Sequence, residues 1–431
     1  MRRDVDSRSN GLHRLDPGAR RARLERLGLD QDAVHSWMDP GSLDEATANR
    51  MIENVIGRMA LPVGIATNFM VDGHEVLIPF CVEESSIIAA ASNMAKRCRP
   101  TGGFRTKRDP PLMIGQIQVL DVDDHERAME ALRSSEAELI RIANDIPSKM
   151  ISLGGGCQRI DHRTITTPRG EMLILHLIVD TRDAMGANAV NSMCERIAGH
   201  VERLTGGRVH LRILSNLAVH RTVTAEAVFE PEDLATESVS GPDVIQAILD
   251  AHAFAVADPY RAVTNNKGVM NAISAIALAC GQDWRAIEAA CHAFPVHTHG
   301  AYRAMADWAS LEDGRLHGSL TLPMAVGIVG GASRIHPGAR ANLDLMGIED
   351  ASELGAVMVA AGLAQNLGAM RALATDGIQR GHMRLHLRNM VLAAGATDAE
   401  LELVANRVLS TEGPITQSKV TAELEAHRAS Q

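Results

Sequence analysis

Apolar residues recur at helical spacing over 19–37 and again over 43–59, which predicts two helices near the start of the chain. Asp44 and Glu45 suit the beginning of the second, where the helix dipole favours acids. Residues 74–82 (HEVLIPFCV) read as a strand, followed by a turn and an Ala-rich helix over 85–97. The stretch 98–111, which holds Pro100, Gly102, Gly103, Pro110 and Pro111, reads as a linker. Beyond it the pattern is most regular. Residues 113–122 form a strand, 123–145 an amphipathic helix, 157–165 an alternating strand and 171–180 an apolar strand. A helix over 184–204 is closed by Gly206 and Gly207, and 208–216 is a final strand. The order β-α-β-β-α-β is that of a ferredoxin-like split unit, so residues 111–217 are expected to form a small inserted antiparallel-sheet domain.

Helical patterns dominate the remainder, over 242–256, 269–280, 283–293, 351–375, 396–409 and 416–428. Only 316–329 (LHGSLTLPMAVGIV) breaks them, with a strand-like, Gly-punctuated run. The expected class is therefore α+β, with a large, mainly helical domain from residues 1–110 and 218–376, the insert 111–217 and a helical C-terminal segment 377–431.

The 431 residues suffice for two or three domains. Aromatics are only 3%, so the core must be built from aliphatic residues and twenty Met, and no aromatic platform for stacking bases is expected. A net charge of −10 argues against general attraction to nucleic acid or an anionic membrane, so an anionic substrate would need local Arg and Lys clusters. The N-terminal stretch carries Arg but no apolar centre, unlike a secretory signal, and Asp4, Asp6 and Asp16 speak against a mitochondrial presequence. No apolar run approaches the ~18 residues that signal a bilayer span, so none is expected. The six Cys (81, 98, 157, 194, 280 and 291) form no CxxC pair and fit reduced thiols of a cytoplasmic protein, with neither disulfide framework nor metal site.

The first chemical signal is DAMGANAVN (183–191), directly after the strand ending at Asp180. A strand running into a Gly-containing helix start offers free amides and the helix dipole to a pyrophosphate. It is not GxGxxG, so the Rossmann fingerprint is absent.

DAMGAN, together with ENVIG (53–57), EESSIIAAAS (83–92), DPYRAVTNNKG (258–268), VGIVGGASRIHP (326–337) and GLAQNLGAMRALATDGIQRGHM (362–383), resembles the signature segments of HMG-CoA reductases. The likeness runs in order from about residue 50 to 390, and the class II (bacterial-type) branch fits best. It implies reduction of 3-hydroxy-3-methylglutaryl-CoA to mevalonate and CoA by two hydride transfers from NADPH or NADH, through an enzyme-bound aldehyde. It also implies a large domain that binds the CoA substrate, a small one that binds the dinucleotide, a mobile C-terminal segment, and a homodimer, or a higher assembly of dimers, whose catalytic groups meet across the dimer interface.

The resemblance assigns roles by local motif. Lys267, read here as lying in a loop, matches the cation that stabilises the developing alkoxide. Glu84 matches the catalytic acid/base, and Asp283 the buried aspartate linking lysine and glutamate. As plain structure, Asp283 would also cap a helix. His382 matches the histidine that protonates the CoA thiolate, carried in by a closure hinged near Gly377 and Gly381. Ser86, Arg261, Asn271 and Gln365 correspond to residues holding the hydroxymethylglutaryl part, with Arg261 suited to its carboxylate. Asp183, Met185, Gly186, Asn188 and Asn216 correspond to the dinucleotide site, and Arg14 or His13 is placed to meet CoA phosphates.

NADH-specific relatives carry an acid just before LGGGC; here that position is Pro147, followed by Ser148 and Lys149, which suit a 2′-phosphate. NADPH is therefore the expected cofactor, with Asp145 the nearest opposing charge. The alternatives are another acyl-CoA oxidoreductase on the same scaffold, or a non-catalytic paralogue that binds CoA esters or dinucleotide.

Overall fold

In the computed structural model, residues 6–8, 11–26, 31–38, 43–375, 387–411, 413 and 415–430 are described. The periodic stretch 19–37 is two helices, α1 (Pro17–Glu25) and α2 (Gln31–Met38). Helix α3 (Glu45–Met51) starts where expected, with the Asp44 carboxylate accepting from the Thr47 amide 2.8 Å away. It stops at Met51, not 59. Ile52, Ile56 and Met59 are exposed, so their helix-like spacing buries no face against the described residues.

Strands β1 (Val63–Val71) and β2 (His74–Cys81) pair as an antiparallel hairpin. Helix α4 (Ile87–Arg97) follows, entered through Ser86 at φ 73, a left-handed conformation unusual for a side-chain-bearing residue. The expected linker 98–111 is only partly irregular: it contains a 3₁₀ turn and β3 (Arg105–Arg108).

The small unit comprises β4 (Leu112–Leu120), α5 (His125–Ser134), α6 (Glu136–Asn144), α7 (Lys149–Ser152), β5 (Gly156–Thr167), β6 (Gly170–Asp180), α8 (Ala187–Thr205) and β7 (Arg208–Ser215). Its sheet runs in the order β5-β6-β4-β7, every neighbour antiparallel, as the ferredoxin-like reading requires. The single helix expected over 123–145 is broken at Ser135, which lies outside helical geometry at φ −104, ψ 3. One face of the sheet meets α5, α6 and α8 in an apolar cluster that includes Ile117, Leu132, Leu139, Leu175, Met193 and Ile197.

The chain then returns to the first unit through β8 (Thr222–Phe229), α9 (Pro231–Leu234), α10 (Gly241–Ala257), α11 (Pro259–Ala279), α12 (Trp284–His299), β9 (Ala306–Ser310), β10 (Leu316–Pro323), α13 (Ala332–Ile335), α14 (Pro337–Met346) and α15 (Ala351–Ala374). A second antiparallel sheet, ordered β3-β8-β10-β9, packs with α10, α11 and α15 around the main core. Contrary to the sequence reading, 259–268 is not a loop. Asp258 caps α11 through the Arg261 amide and Pro259 occupies its first turn, so Lys267 sits mid-helix.

Helix α15 is long and apolar enough to cross a membrane by length and composition, but 72% of that stretch is buried inside the fold. Its apolar stretch is interrupted by Gln365 and Asn366, and it serves as a core helix. Gly362 and Gly368 along it meet Ile273 of α11 and Ala90 of α4 closely, so small residues set the spacing of the three helices. At the C-terminus, a helix over 387–393 (α16), α17 (Asp398–Ser410) and α18 (Gln417–Ala429) share a separate apolar cluster of Leu387, Val391, Val404, Val408, Val420 and Leu424.

Candidate active site

Two buried asparagines position Lys267. Asn265 Oδ1 accepts from Asn366 Nδ2 of α15 at 3.0 Å, and Asn266 donates to the Arg303 carbonyl at 2.8 Å while accepting from the Met305 amide at 3.0 Å. Trp308 of β9 donates in turn to Asn366 Oδ1 at 2.9 Å. These satisfied polar groups lock α11 against α15 and the 303–308 segment, because an unpaired amide there would carry its full desolvation cost. With its two neighbours turned inward, Lys267 points outward, and its Nζ donates to Glu84 Oε2 at 3.0 Å. Both side chains are half-exposed, 59% and 42%. Asn271 follows Lys267 by one helical turn, on the same face of α11.

Ser86 and Gln365 carry buried polar atoms, Oγ and Oε1, with no hydrogen-bond partner among the described residues. Unpartnered buried polar atoms of this kind are rare in a folded interior. Ser86 also lines a cavity of about 1260 Å³ between α1, α2, β1, α4 and the Gly281 and His336–Asn342 segments. Arg20, Arg21, Arg58, Lys96 and Arg97 give its wall a cationic character beside apolar Leu12, Leu24 and Leu61. Arg14 is exposed and is not among the lining residues; the His13 side chain lies outside the described residues.

Asp283 departs from expectation. Its carboxylate is 46% exposed, not buried; it caps α12 through the Ala286 amide at 3.1 Å and lies 3.6 Å from Arg285. Among the described residues it has no hydrogen bond to Lys267 or Glu84. His382, Gly377 and Gly381 lie outside the described residues.

The dinucleotide candidates gather at one end of the small sheet. Gly186 precedes α8 at φ 90, and a Cβ there would collide with the Thr181 side chain. The first turn of α8 contains no acid and no side chain caps it, so its amides are available to an anion. The LGGGC turn abuts the same place: Arg182 donates to the Gly154 carbonyl at 2.7 Å, and a Cβ on Gly155 would fall 2.7 Å from the Asp180 carbonyl. Asn188 and Asn216 are exposed, and Met185 packs on the small core. Asp183 instead reaches the other unit, its Oδ1 accepting from the Ala351 amide at 3.0 Å. Ser148 caps α7 through the Met150 amide, Lys149 is exposed, and Asp145 is paired with Arg196 of α8.

The sequence profile of hydroxymethylglutaryl-coenzyme A reductase matches residues 17–387. The chain is 46% identical over all 431 residues to the 3-hydroxy-3-methylglutaryl-coenzyme A reductase of Archaeoglobus fulgidus, covering 97% of that protein. The chain belongs to the HMG-CoA reductase family. A probable reductase of Borreliella burgdorferi is 33% identical over 79% of this chain and 77% of its own length. Among solved structures, the Streptococcus pneumoniae HMG-CoA reductase superimposes with a TM-score of 0.82 at 34% identity, over 97% of this chain and 99% of that one. A class II reductase structure from the same organism, described as bound to NADPH in open conformations, gives 0.80 at 35% identity over 96% and 100%. Like its family, this reductase interconverts HMG-CoA and mevalonate with a nicotinamide dinucleotide.

Burial acts on the thiols as well. All six cysteines are free, and burial pushes Cys98, Cys157 and Cys194 up to about 12, leaving them protonated at neutral pH. Sequence reasoning passed over Asn265, Asn266, Asn366, Arg221 and Gln282; the doubled asparagine pointed to a loop, because asparagine is a poor interior helix residue unless its amide is bonded elsewhere.

Proposed function

We propose that the thioester is reduced at the Lys267–Glu84 pair. The observation that carries this reading is the 3.0 Å contact between an ammonium and a carboxylate 183 positions apart, held at the surface where a solvated pair has little reason to persist. Lys267 supplies positive charge to the carbonyl oxygen as it becomes an alkoxide. Glu84, hydrogen-bonded to that ammonium, delivers the proton the alkoxide needs. Asp283 and His382 complete the set, the latter protonating the departing CoA sulfur. Ser86 Oγ, Gln365 Oε1, Asn271 and Arg261 hold the hydroxymethylglutaryl part, Arg261 by its carboxylate.

The CoA part fits the 1260 Å³ cavity, whose Arg20, Arg21, Lys96 and Arg97 suit phosphates and whose leucines suit the pantetheine chain. On this reading the phosphate contacts lie on α1 and α4, and not on Arg14 or His13. The Gly186 cradle and the uncapped start of α8 fit a pyrophosphate, with Asp183, Met185, Asn188 and Asn216 around the dinucleotide. When bound, the dinucleotide supplies the two hydrides. We read residues 1–110 and 218–376 as the CoA-substrate domain, 111–217 as the dinucleotide domain and 377–431 as a flap.

NADPH is the preferred cofactor. Pro147 removes an acid from the ribose position, Ser148 and Lys149 stand beside it, and Arg196 engages Asp145, the nearest competing charge. Exposed Phe254, Tyr260, Val263 and Val296 on α10–α12, with Ile52, Ile56 and Met59, form the apolar surface of a homodimer. Six free thiols suit the cytoplasm.

The test follows nicotinamide absorbance with HMG-CoA, and with mevalonate, CoA and oxidised cofactor. Lys267→Ala is expected to lower turnover by about 100-fold or more in both directions, with NADPH affinity unchanged. Turnover within a few-fold of the parent would refute the site, and strict NADH dependence of the parent would refute the cofactor preference.

A further inference from the structure

The dinucleotide turn is braced from the large unit by a strap, residues 326–328, and by one buried guanidinium. Arg221, 4% exposed, donates through Nη1 to Thr181 Oγ1 and the Ala184 carbonyl, both at 3.0 Å, and through Nη2 to the Val326 carbonyl at 2.6 Å. Thr181 is the residue against which Gly186 closes, so this guanidinium holds the turn from beneath. The strap meets the same turn twice. The Ile328 amide donates to the Asp183 carbonyl at 2.9 Å, and Gly327 approaches so closely that a Cβ there would fall 2.6 Å from the Met185 nitrogen.

On its far side the strap is held by Gln282, and Arg334 Nε also donates to the Ile328 carbonyl at 3.1 Å. Gln282 Oε1 accepts from the Gly327 amide at 2.8 Å, while its Nε2 donates to the Gly327 carbonyl at 2.9 Å and the Cys280 carbonyl at 3.0 Å. Gln282 is the residue before Asp283, in the turn between α11, which carries Lys267, and α12. A charge this deeply buried, hydrogen-bonded only to neutral oxygens, is costly unless its geometry is needed. Burial lowers the Arg221 pKa to about 10, with the Asp183 and Asp180 charges opposing the shift, so it stays a cation at neutral pH.

We infer that Arg221 and Gln282 are positioning residues for the reductase reaction: together they fix the dinucleotide-binding turn 181–186, through the 326–328 strap, to the turn that bears Asp283. The inference rests on reading the Gly186 turn as the dinucleotide site. It makes dinucleotide affinity depend on residues that never touch the dinucleotide.

The test uses the full chain and NADPH as probe, with HMG-CoA binding and the melting transition followed in parallel. Arg221→Lys keeps the charge but cannot span all three oxygens, and Gln282→Leu removes both bonds to Gly327. Each is expected to raise the NADPH dissociation constant about tenfold, with HMG-CoA affinity within about twofold of the parent. Should Arg221→Lys fail to fold, Gln282→Leu, a neutral change in a half-buried turn, decides alone. Unchanged NADPH affinity in a folded variant overturns the inference, as does an equal loss of both ligands, the mark of a merely structural role. Gly186→Ala separates the two readings: if it leaves NADPH binding intact, the dinucleotide site itself is misplaced; if it alone weakens binding, only the strap is refuted.

Discussion

Lys267 Nζ and Glu84 Oε2 meet at 3.0 Å, whereas Glu83, the adjacent acid, has no hydrogen bond or ion pair with Lys267 among the described residues. The difference comes from the backbone. Ser86 turns through φ 73 before α4 begins, and this left-handed step fixes the direction from which the preceding residues approach. Glu84→Gln is therefore expected to lower kcat by about 100- to 10,000-fold, the usual range for loss of a general acid. Glu83→Gln is expected to leave turnover within about twofold, as for a surface change away from such features. Steady-state kinetics on both variants checks the pair, and equal losses would mean that the two acids share the task.

Asp283 combines a cap with a proposed catalytic charge, and substitution separates the two. Asparagine caps a helix nearly as well as aspartate, so Asp283→Asn should preserve the bond to the Ala286 amide and the melting temperature while lowering turnover. Asp283→Ala should lose both, at about 1 kcal/mol of stability for the cap. Parallel melting and rate measurements check this; an Asp283→Asn enzyme with parental kcat would leave the residue only its cap.

These two sites show what was legible in the sequence and what was not. The β-α-β-β-α-β order could be read because each strand of the small sheet alternates or runs apolar against helices of regular period, as in Leu173, Leu175 and Leu177. Residues 259–268 misled because Asn265, Asn266 and Gly268 are weak helix formers, and only tertiary hydrogen bonds to Arg303, Met305 and Asn366 make helix their best state. The β1 strand escaped notice because polar Thr67 and Asn68 interrupt it; their partners, Ser92 and the Ser7 carbonyl, are distant in sequence. Asp283 was expected to be buried and in the single chain its carboxylate is 46% exposed, since burial is a property of the assembled fold and not of the local string.

Gly186 offers a sharper test of the dinucleotide turn than any charged residue. Alanine at φ 90 is strained whatever the space, and here its Cβ also meets the Thr181 side chain. Gly186→Ala is expected to cost about 1–3 kcal/mol of stability and to raise the dinucleotide KM more than the HMG-CoA KM. Thermal melts and separate titrations of the two ligands check it, and an equal rise in both KM values would contradict the assignment.

Acid should loosen the wall of the 1260 Å³ cavity through His336. Its Nδ1 accepts from the Gly338 and Ala339 amides at 3.1 and 3.4 Å, capping α14, and an imidazolium cannot accept at that atom. Burial lowers its pKa from the ordinary value of 6.5, so the folded state favours the neutral ring. Below 6.5 the unfolded chain binds a proton that the folded chain resists, so the stabilisation present above 6.5 is lost as pH falls through the lowered folded value. Burial lowers His176, His252 and His292 in the same sense, so the melting temperature should decline as pH drops from about 7 towards 5. His336→Asn keeps a capping oxygen without a titrating ring, and should flatten part of that decline while matching the parent at neutral pH. Melting curves across this range, parent against variant, decide the matter: parallel declines would show that His336 contributes nothing to the acid sensitivity.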